Sequence, residues 1–460
     1  MSADPSEGLS RFSAELRFAQ ISPAAVRAAK SLIADALAVA VAAGRAPGVE
    51  AILREIKGWG GREEASLLGG GGRVPAPAAA LANGLRIHAL EFDDTHDQWV
   101  VHPSACVLPA VLAASERRGG VKGEEFLCAF VAGVEVACRL GMAFGESLTF
   151  ERTSLCGVFG AAAGAARAMG LPAQAARHAL GIALSYAGGT RQGLADGALT
   201  KRVQPGLAAR GGVESANWAA CGMTGPRDVF SGPSGFFEAF GRMREGAEGW
   251  LEGLGERFEF ISTGLKPYPC CRYVHPAIDA ALDLRRAGGA PGEVIREVVV
   301  SVPPVRSLDY VARPFPLEGA TTVDRQFSLS YVTALAILRG KVGLGDFEEG
   351  SLPPDVAELL PRIRVERNEV QDPQILFLPA ALRVRYSSGE ERSARCGRLK
   401  GSPAWPMTGE EQRAKLGACL KYVGVSPLTE SLWETVQGLE AMSDVRDLSG
   451  LLDRECAGIV

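Results

Sequence analysis

Between Asn83 and Glu116 the chain reads NGLRIHALEFDDTHDQWVVHPSACVLPAVLAASE, a stretch that holds three of its 5 histidines. His88, His96 and His102 stand among Glu91, Asp93, Asp94, Thr95 and Asp97, so proton carriers and proton acceptors crowd one short segment. A carboxylate beside an imidazole fixes the tautomer of the ring and tunes it as a base. The segment keeps neither a strand period nor a helix period, which marks a loop or broken helix end carrying function on a rigid scaffold. Other readings are a solvated acidic connector and a metal site. The spacings match no HExxH, EF-hand or zinc-ribbon pattern, so the expectation is acid-base chemistry with no metal.

Two further motifs gather cations. In AGGTRQGLADGALTKRVQPGLAARGG (187–212) glycines surround Lys201 and Arg202. Glycine permits close backbone approach, and the two cations could receive a carboxylate. In LKPYPCCRYVHPAIDAAL (265–282) Lys266, Arg272 and His275 precede a helix expected from about Pro276, where an imidazole and helix N–H groups can face an anion. The adjacent thiols Cys270 and Cys271 have no clear base and read as packing residues. The glycines at 69–72 lack the Gly-Lys-Ser/Thr ending of a phosphate loop and read as a connector.

These groups need elements to hold them. Ser22 and Pro23 open a helix on which Val26, Ile33, Leu37 and Ala40 recur at helical spacing. Helical patterns follow over 48–57, 76–89, 123–142, 156–169, 172–186 and 207–223, punctuated by glycine and proline. Pro103 and Ser104 start another. Past 290 the period changes to two: Val298, Val300 and Val302, then Ile363 and Val365, then Leu382, Val384 and Tyr386 alternate with polar residues, and a turn at 387–390 leads to a return strand ending near Cys396. A helix is expected over 326–338, and Thr408 with Glu411 forms a capping box before a helical tail. The fold class is mainly α with a smaller α+β domain. The expected division is 1–268 and 404–460 helical, with 269–403 as the α+β part.

Composition narrows the function. Hydrophobic residues make 47% of the 460 positions but aromatics only 7%, so the core is built of Ala, Val and Leu and favours close-packed helices. Forty-nine basic against 53 acidic residues, with no basic run, argue against a nucleic-acid partner. Ten scattered cysteines suggest reduced thiols and a cytoplasmic protein. The start MSADPSEGL lacks the pattern of a leader, and the longest run of apolar side chains, Ala36 to Ala43, is too short to span a bilayer, so a soluble protein with no membrane partner is expected.

On residues 83–110, 200–216 (TKRVQPGLAARGGVESA) and 265–280, with a weaker match at 325–338 (RQFSLSYVTALAIL), the chain resembles the MmgE/PrpD family. Members include 2-methylcitrate dehydratases, cis-aconitate decarboxylases and iminodisuccinate epimerases. The resemblance implies a large helical domain made from both chain ends, an α+β lid domain, a homodimer, and catalysis on a small polycarboxylate without metal or organic cofactor. Carried over by position, the family's functional groups fall on Thr95, His102, Lys201, His275 and Tyr331, and its acidic pattern on Glu91, Asp93 and Asp94. On that basis His102 and His275 form an acid-base pair, Lys201 and Arg272 bind carboxylates, and Tyr331 donates a hydrogen bond or proton. Asp93 or Asp94 orients an imidazole, and Glu91, Asp94, Thr95, Arg202 and Lys266 complete the substrate site.

The chain also departs from the family. Glu91 replaces the usual Asp, Glu151 or Arg152 replaces a usual imidazole, and Arg202 stands where decarboxylase-like members have Pro. The leading expectation is a dehydratase-like lyase acting on an acid resembling 2-methylcitrate. A dicarboxylate epimerase, a cis-aconitate-type decarboxylase and an inactive binding protein follow in that order.

Overall fold

The computed structural model describes residues 4–145, 149–288, 294–304, 308–368 and 380–456. The chain divides into two compact units: Met1–Gly193, Leu199–Leu265 and Thr408–Val460 in the first, Leu194–Ala198 and Lys266–Met407 in the second.

The helices run in order α1 (Pro5–Glu15), α2 (Pro23–Ala42), α3 (Val49–Gly58), α4 (Ala76–His88), α5 (Pro103–Arg117), α6 (Gly123–Ala143), α7 (Arg152–Ala168), α8 (Ala173–Ala183), the short α9 (Gln192–Ala195), α10 (Thr200–Ala220) and α11 (Phe236–Phe240). Ser22 caps α2 as its sequence indicates, accepting from Ala25 N at 3.2 Å. The 21-residue α6 is long and apolar enough to cross a membrane by composition, yet it is almost wholly buried in the first unit and packs against α5 and α7. The glycines at 69–72 form the turn of a small hairpin, β1 (Ala65–Ser66) with β2 (Arg73–Val74).

One boundary departs from its sequence pattern. The helix expected from Leu207 starts at Thr200, so Lys201 and Arg202 stand in the first turn of α10 rather than in a loop. Pro205-Gly206 reads as a helix break, because proline forfeits a backbone donor. Packing accounts for the glycine: a Cβ on Gly206 would stand 2.3 Å from the Leu81 carbonyl, and one on Gly84 would stand 2.6 Å from Gly206 Cα. Helices α4 and α10 therefore cross backbone against backbone. One turn beyond Gly84 lies His88, and the head of α10 carries Lys201.

The second unit is built on a four-stranded sheet in the order β6-β5-β7-β8, with β5 (Ile295–Val302), β6 (Ile363–Arg367), β7 (Ala380–Tyr386) and β8 (Glu391–Cys396). β5 and β6 are parallel, the other pairs antiparallel, and Val300 lies opposite both Val365 and Leu382. The alternation seen in the sequence is the core face: Val298, Val300, Leu382, Val384 and Tyr386 are buried with Cys270 and Cys271. The unit also holds α12 (His275–Arg286), α13 (Leu308–Val311), α14 (Thr322–Gln326), α15 (Leu329–Arg339) and α16 (Pro354–Leu359). The single helix expected over 326–338 is broken, because Ser328 leaves helical geometry and its hydroxyl accepts from Tyr331 N at 3.1 Å to cap α15.

Three C-terminal helices, α17 (Gly409–Tyr422), α18 (Leu428–Gln437) and α19 (Arg446–Glu455), complete the first unit. The Thr408–Glu411 capping box forms as expected, with reciprocal bonds of 3.2 and 2.7 Å. From α17, Lys415 reaches Asp35 of α2 at 2.6 Å and donates to the Phe92 carbonyl at 2.7 Å. The far end of the chain thus pins the acidic-histidine segment.

Candidate active site

The segment after α4 is buried, which excludes a solvated connector: Glu91 is 3%, Asp93 0%, Asp94 1% and His102 6% exposed. It turns sharply twice. Glu91 and Val100 have φ of +51° and +54°, the only non-glycine residues in the left-handed region among the described residues. Between them, β3 (Thr95–His96) pairs with β4 (Thr263–Gly264), and a tight turn returns the chain from His96 to Val101. His102 then stands as the N-cap residue of α5, and its N–H donates to Thr153 Oγ1 at 3.2 Å.

The α4–α10 crossing delivers Lys201 to this segment. Lys201 Nζ contacts the Glu91 carboxylate and lies 2.7 Å from His88 Nε2. His88 Nδ1 lies 2.8 Å from Asp93 Oδ2, and the same oxygen is 3.5 Å from His102 Nδ1. The two rings meet edge-on at 4.9 Å. Burial opposes the charge on Lys201, yet Glu91, Glu151 and Asp93 hold its pKa above the usual lysine value. The proton positions follow from donor inventory. An ammonium has no acceptor, so His88 Nε2 accepts from it and Nδ1–H donates to Asp93.

His102 is fixed by the same logic. Its Nδ1 lies 2.6 Å from the Asp94 carbonyl and 3.2 Å from Thr95 Oγ1. A nitrogen that close to a carbonyl carries a hydrogen, which puts the lone pair on Nε2. The Asp94 side chain faces α5 and accepts from Ser104 Oγ at 2.6 Å and Ser104 N at 3.3 Å. Burial first, then Asp93, push the Asp94 carboxyl well above its ordinary range. Asp94 thus holds the first turn of α5 through its side chain, while its main chain orients His102.

By distance alone His88, Asp93 and His102 could gather round a cation, their ligand atoms lying within 4.8 Å of one another. Metal ligation needs imidazole lone pairs. Both facing nitrogens, His88 Nδ1 and His102 Nδ1, are the protonated ones, so the set fits a hydrogen-bonded relay and does not fit an ion.

Other candidates lie elsewhere. Arg202 donates to the Pro47 carbonyl at 3.1 Å. Glu151 lies 3.6 Å from Arg191, and Arg152 donates to the Trp99 carbonyl at 2.9 Å, steadying the turn before His102. In the second unit, His275 heads α12 fully buried. Its Nε2–H donates to the Cys270 carbonyl at 3.2 Å and its Nδ1 accepts from Arg272 Nη1 at 3.2 Å, which also donates to the Lys400 carbonyl at 2.7 Å. Tyr268 packs edge-on against His275 at 5.2 Å and donates to Asp279 Oδ1 at 2.7 Å. Tyr331 is buried, donates to the Asp346 carbonyl and stacks on Phe315 at 5.0 Å. Burial raises its phenol above the usual value, against the Arg325 guanidinium over its ring. Lys266 is fully buried in the same unit.

Sequence patterns give His88 no role of its own, make Ser104 only a helix start, and leave Thr153 and Lys415 unmarked, yet all four hold this segment. His88 and Glu91 are three apart, but that spacing signals nothing until α4 is known to end there. Lys415 offers no local signal at all.

The chain thus consists of a mainly helical unit with a buried imidazole-carboxylate-lysine cluster and an α+β unit with a buried imidazole of its own. The chain belongs to the MmgE/PrpD family: residues 7–246 match the MmgE/PrpD N-terminal domain and residues 268–440 the C-terminal domain. It is 29% identical to the cis-aconitate decarboxylase of Homo sapiens over 394 residues, covering 83% of this chain and 80% of that one. It is 29% identical to the cis-aconitate decarboxylase-like protein oryM of Aspergillus oryzae over 465 residues, covering 96% and 95%. It is 27% identical to the cis-aconitate decarboxylase of Aspergillus terreus over 452 residues, covering 92% and 91%.

Proposed function

We propose that this protein is a lyase that acts on a small di- or tricarboxylate by proton transfer at a carbon beside a carboxylate, without metal or organic cofactor. The observation that carries the reading is the buried chain Lys201–His88–Asp93–His102, with donor distances of 2.7 and 2.8 Å and the Asp93 oxygen 3.5 Å from His102. It supplies what such chemistry needs: a cation for a substrate carboxylate, an imidazole whose Nε2 exchanges a proton, and a carboxylate that stabilises the imidazolium formed. By the family resemblance His275 is assigned as a second proton-transfer residue, with Arg272, Lys266 and Tyr331 as groups that bind and polarise the substrate.

Among lyase reactions the relatives named above move the preference from dehydration to decarboxylation. In that reaction the C–C bond electrons stay on carbon, carbon dioxide leaves, and one proton is delivered to the carbon. The test is proton NMR in deuterium oxide with cis-aconitate, citrate, 2-methylcitrate and aspartate-derived diacids, before and after chelation. A decarboxylated product carrying one deuterium is the expected result. Water loss with a new enoate absorbance would return the reaction to dehydration, deuterium in recovered substrate would make it an epimerase, and silence across the panel would overturn the lyase reading.

A further inference from the structure

We propose that His88 is a positioning residue that couples the cation Lys201 to the proton carrier His102 through Asp93. The inference rests on the lyase reading for the roles of those two groups, but its geometry is independent of the substrate. His88 ends α4 fully buried, and both ring nitrogens are committed, Nε2 to Lys201 at 2.7 Å and Nδ1 to Asp93 at 2.8 Å. The charged and titratable groups around it are Lys201, Glu91 at 3.6 Å, Asp93 and the His102 ring, with Glu151 acting on Lys201 through space.

A ring held this way couples its two sides. The Lys201 ammonium polarises Nε2, which strengthens the Nδ1–H bond to Asp93, and hydrogen bonds in series reinforce one another. Asp93 Oδ2 then has a strong donor on one side and His102 on the other. When a substrate carboxylate draws Lys201 away from Nε2, the Nδ1–H bond weakens and Asp93 turns more of its charge to His102. Anion binding thereby stabilises the imidazolium of His102, the form that delivers a proton to carbon, at the moment a substrate arrives.

Two substitutions separate the arms. In His88→Asn the amide N–H₂ stands near Nδ1 and donates to Asp93, but Lys201 loses its acceptor. In His88→Gln the longer amide oxygen reaches the place of Nε2 and accepts from Lys201, but Asp93 loses its donor. With the acid that the NMR panel identifies, His88→Asn, which keeps a donor on Asp93 whatever Lys201 does, is expected to lower kcat about tenfold and to move the limb of the kcat–pH profile set by His102 to lower pH. His88→Gln, which leaves Asp93 turned to His102, is expected to move that limb to higher pH with a smaller loss of kcat, as a group that acts through His102 must. Equal losses in both variants with unmoved pH limbs would show a merely structural histidine and overturn the proposal, as would unchanged kinetics in both. A second measurement needs neither turnover nor a variant: nitrogen-15 NMR of histidine-labelled protein should show His88 with its hydrogen on Nδ1 and a lone pair on Nε2. A hydrogen on Nε2 overturns the bridge even if the lyase reading stands, and the expected tautomer with silence across the acid panel keeps the bridge while removing that reading.

Discussion

The segment from His88 to His102 buries acidic and basic groups and holds them against one another, whereas the segment from Tyr268 to Asp279 buries groups that are held largely by nearby main chain and by each other. In the first, the partners come from afar: Lys201 from the head of α10 and Lys415 from α17. In the second, His275 is held by Cys270 and Arg272, and Tyr268 by Asp279. Backbone strain divides the same way, since Glu91 and Val100 lie in the left-handed region and no non-glycine residue of the second unit does among those described. Strain and uncompensated charge persist only where surrounding structure over-determines them. The first segment is therefore the one whose geometry depends on the whole unit, and the second the one that is locally secured.

Removing Lys201 breaks this comparison most severely. Lys201→Met leaves the Glu91 and Asp93 carboxylates buried without their cation, and removing one partner of a buried ion pair costs about 3–5 kcal/mol. Denaturant unfolding should show that loss, with turnover falling by at least about 100-fold. A variant that kept wild-type stability would mean those carboxylates are not ionised in the fold, and the contrast between the segments would dissolve.

The second segment has its own charge, and pH reads it. Burial pushes the Asp279 carboxyl up to about 6, against the hydrogen bond from Tyr268 and the Arg272 guanidinium. Its folded pKa lies above its unfolded value of 3.8, so the fold binds this proton more tightly. The stabilisation is fully present below about pH 4 and is lost as pH rises through about 6, a loss on the order of 3 kcal/mol. In Asp279→Asn, which keeps an acceptor for Tyr268, unfolding free energies at about pH 4 and about pH 8 should differ by that much less than in the wild type. An identical pH dependence in both proteins would place the cost elsewhere.

The fold was legible wherever one element's own residues decide it. The alternation at 298–302 and 382–386 became the buried face of the sheet, with Ile363 and Val365 half-buried against it, and the Thr408–Glu411 spacing became a cap, because both are local patterns. What could not be read depends on residues distant in sequence. Pro205-Gly206 signals a break, and only the Leu81 carbonyl against Gly206 shows why the helix runs on. The site followed the same rule. Glu91, Asp93, Asp94, Thr95, His102 and Lys201 could be named from motif and chemistry and do come together, while Arg202 turns to Pro47, and the job of His88 exists only once α4 crosses α10.

The smallest effect asks whether the strain in the first segment is used. Val100 sits at φ +54° in the turn between β3 and His102, and its N–H donates to the His96 carbonyl at 2.7 Å. A β-branched residue there costs about 1–2 kcal/mol, whereas asparagine visits this region readily. Val100→Asn should therefore raise unfolding free energy by about 1 kcal/mol after the loss of some apolar contact, read as a higher denaturant midpoint with an unchanged slope. Turnover decides the meaning. If activity holds as stability rises, the turn only routes the chain into α5 and the strain is incidental to the chemistry. If activity falls in a more stable protein, the strained turn sets the position of His102, and the contrast between a strained segment and a secured one is part of how the site works.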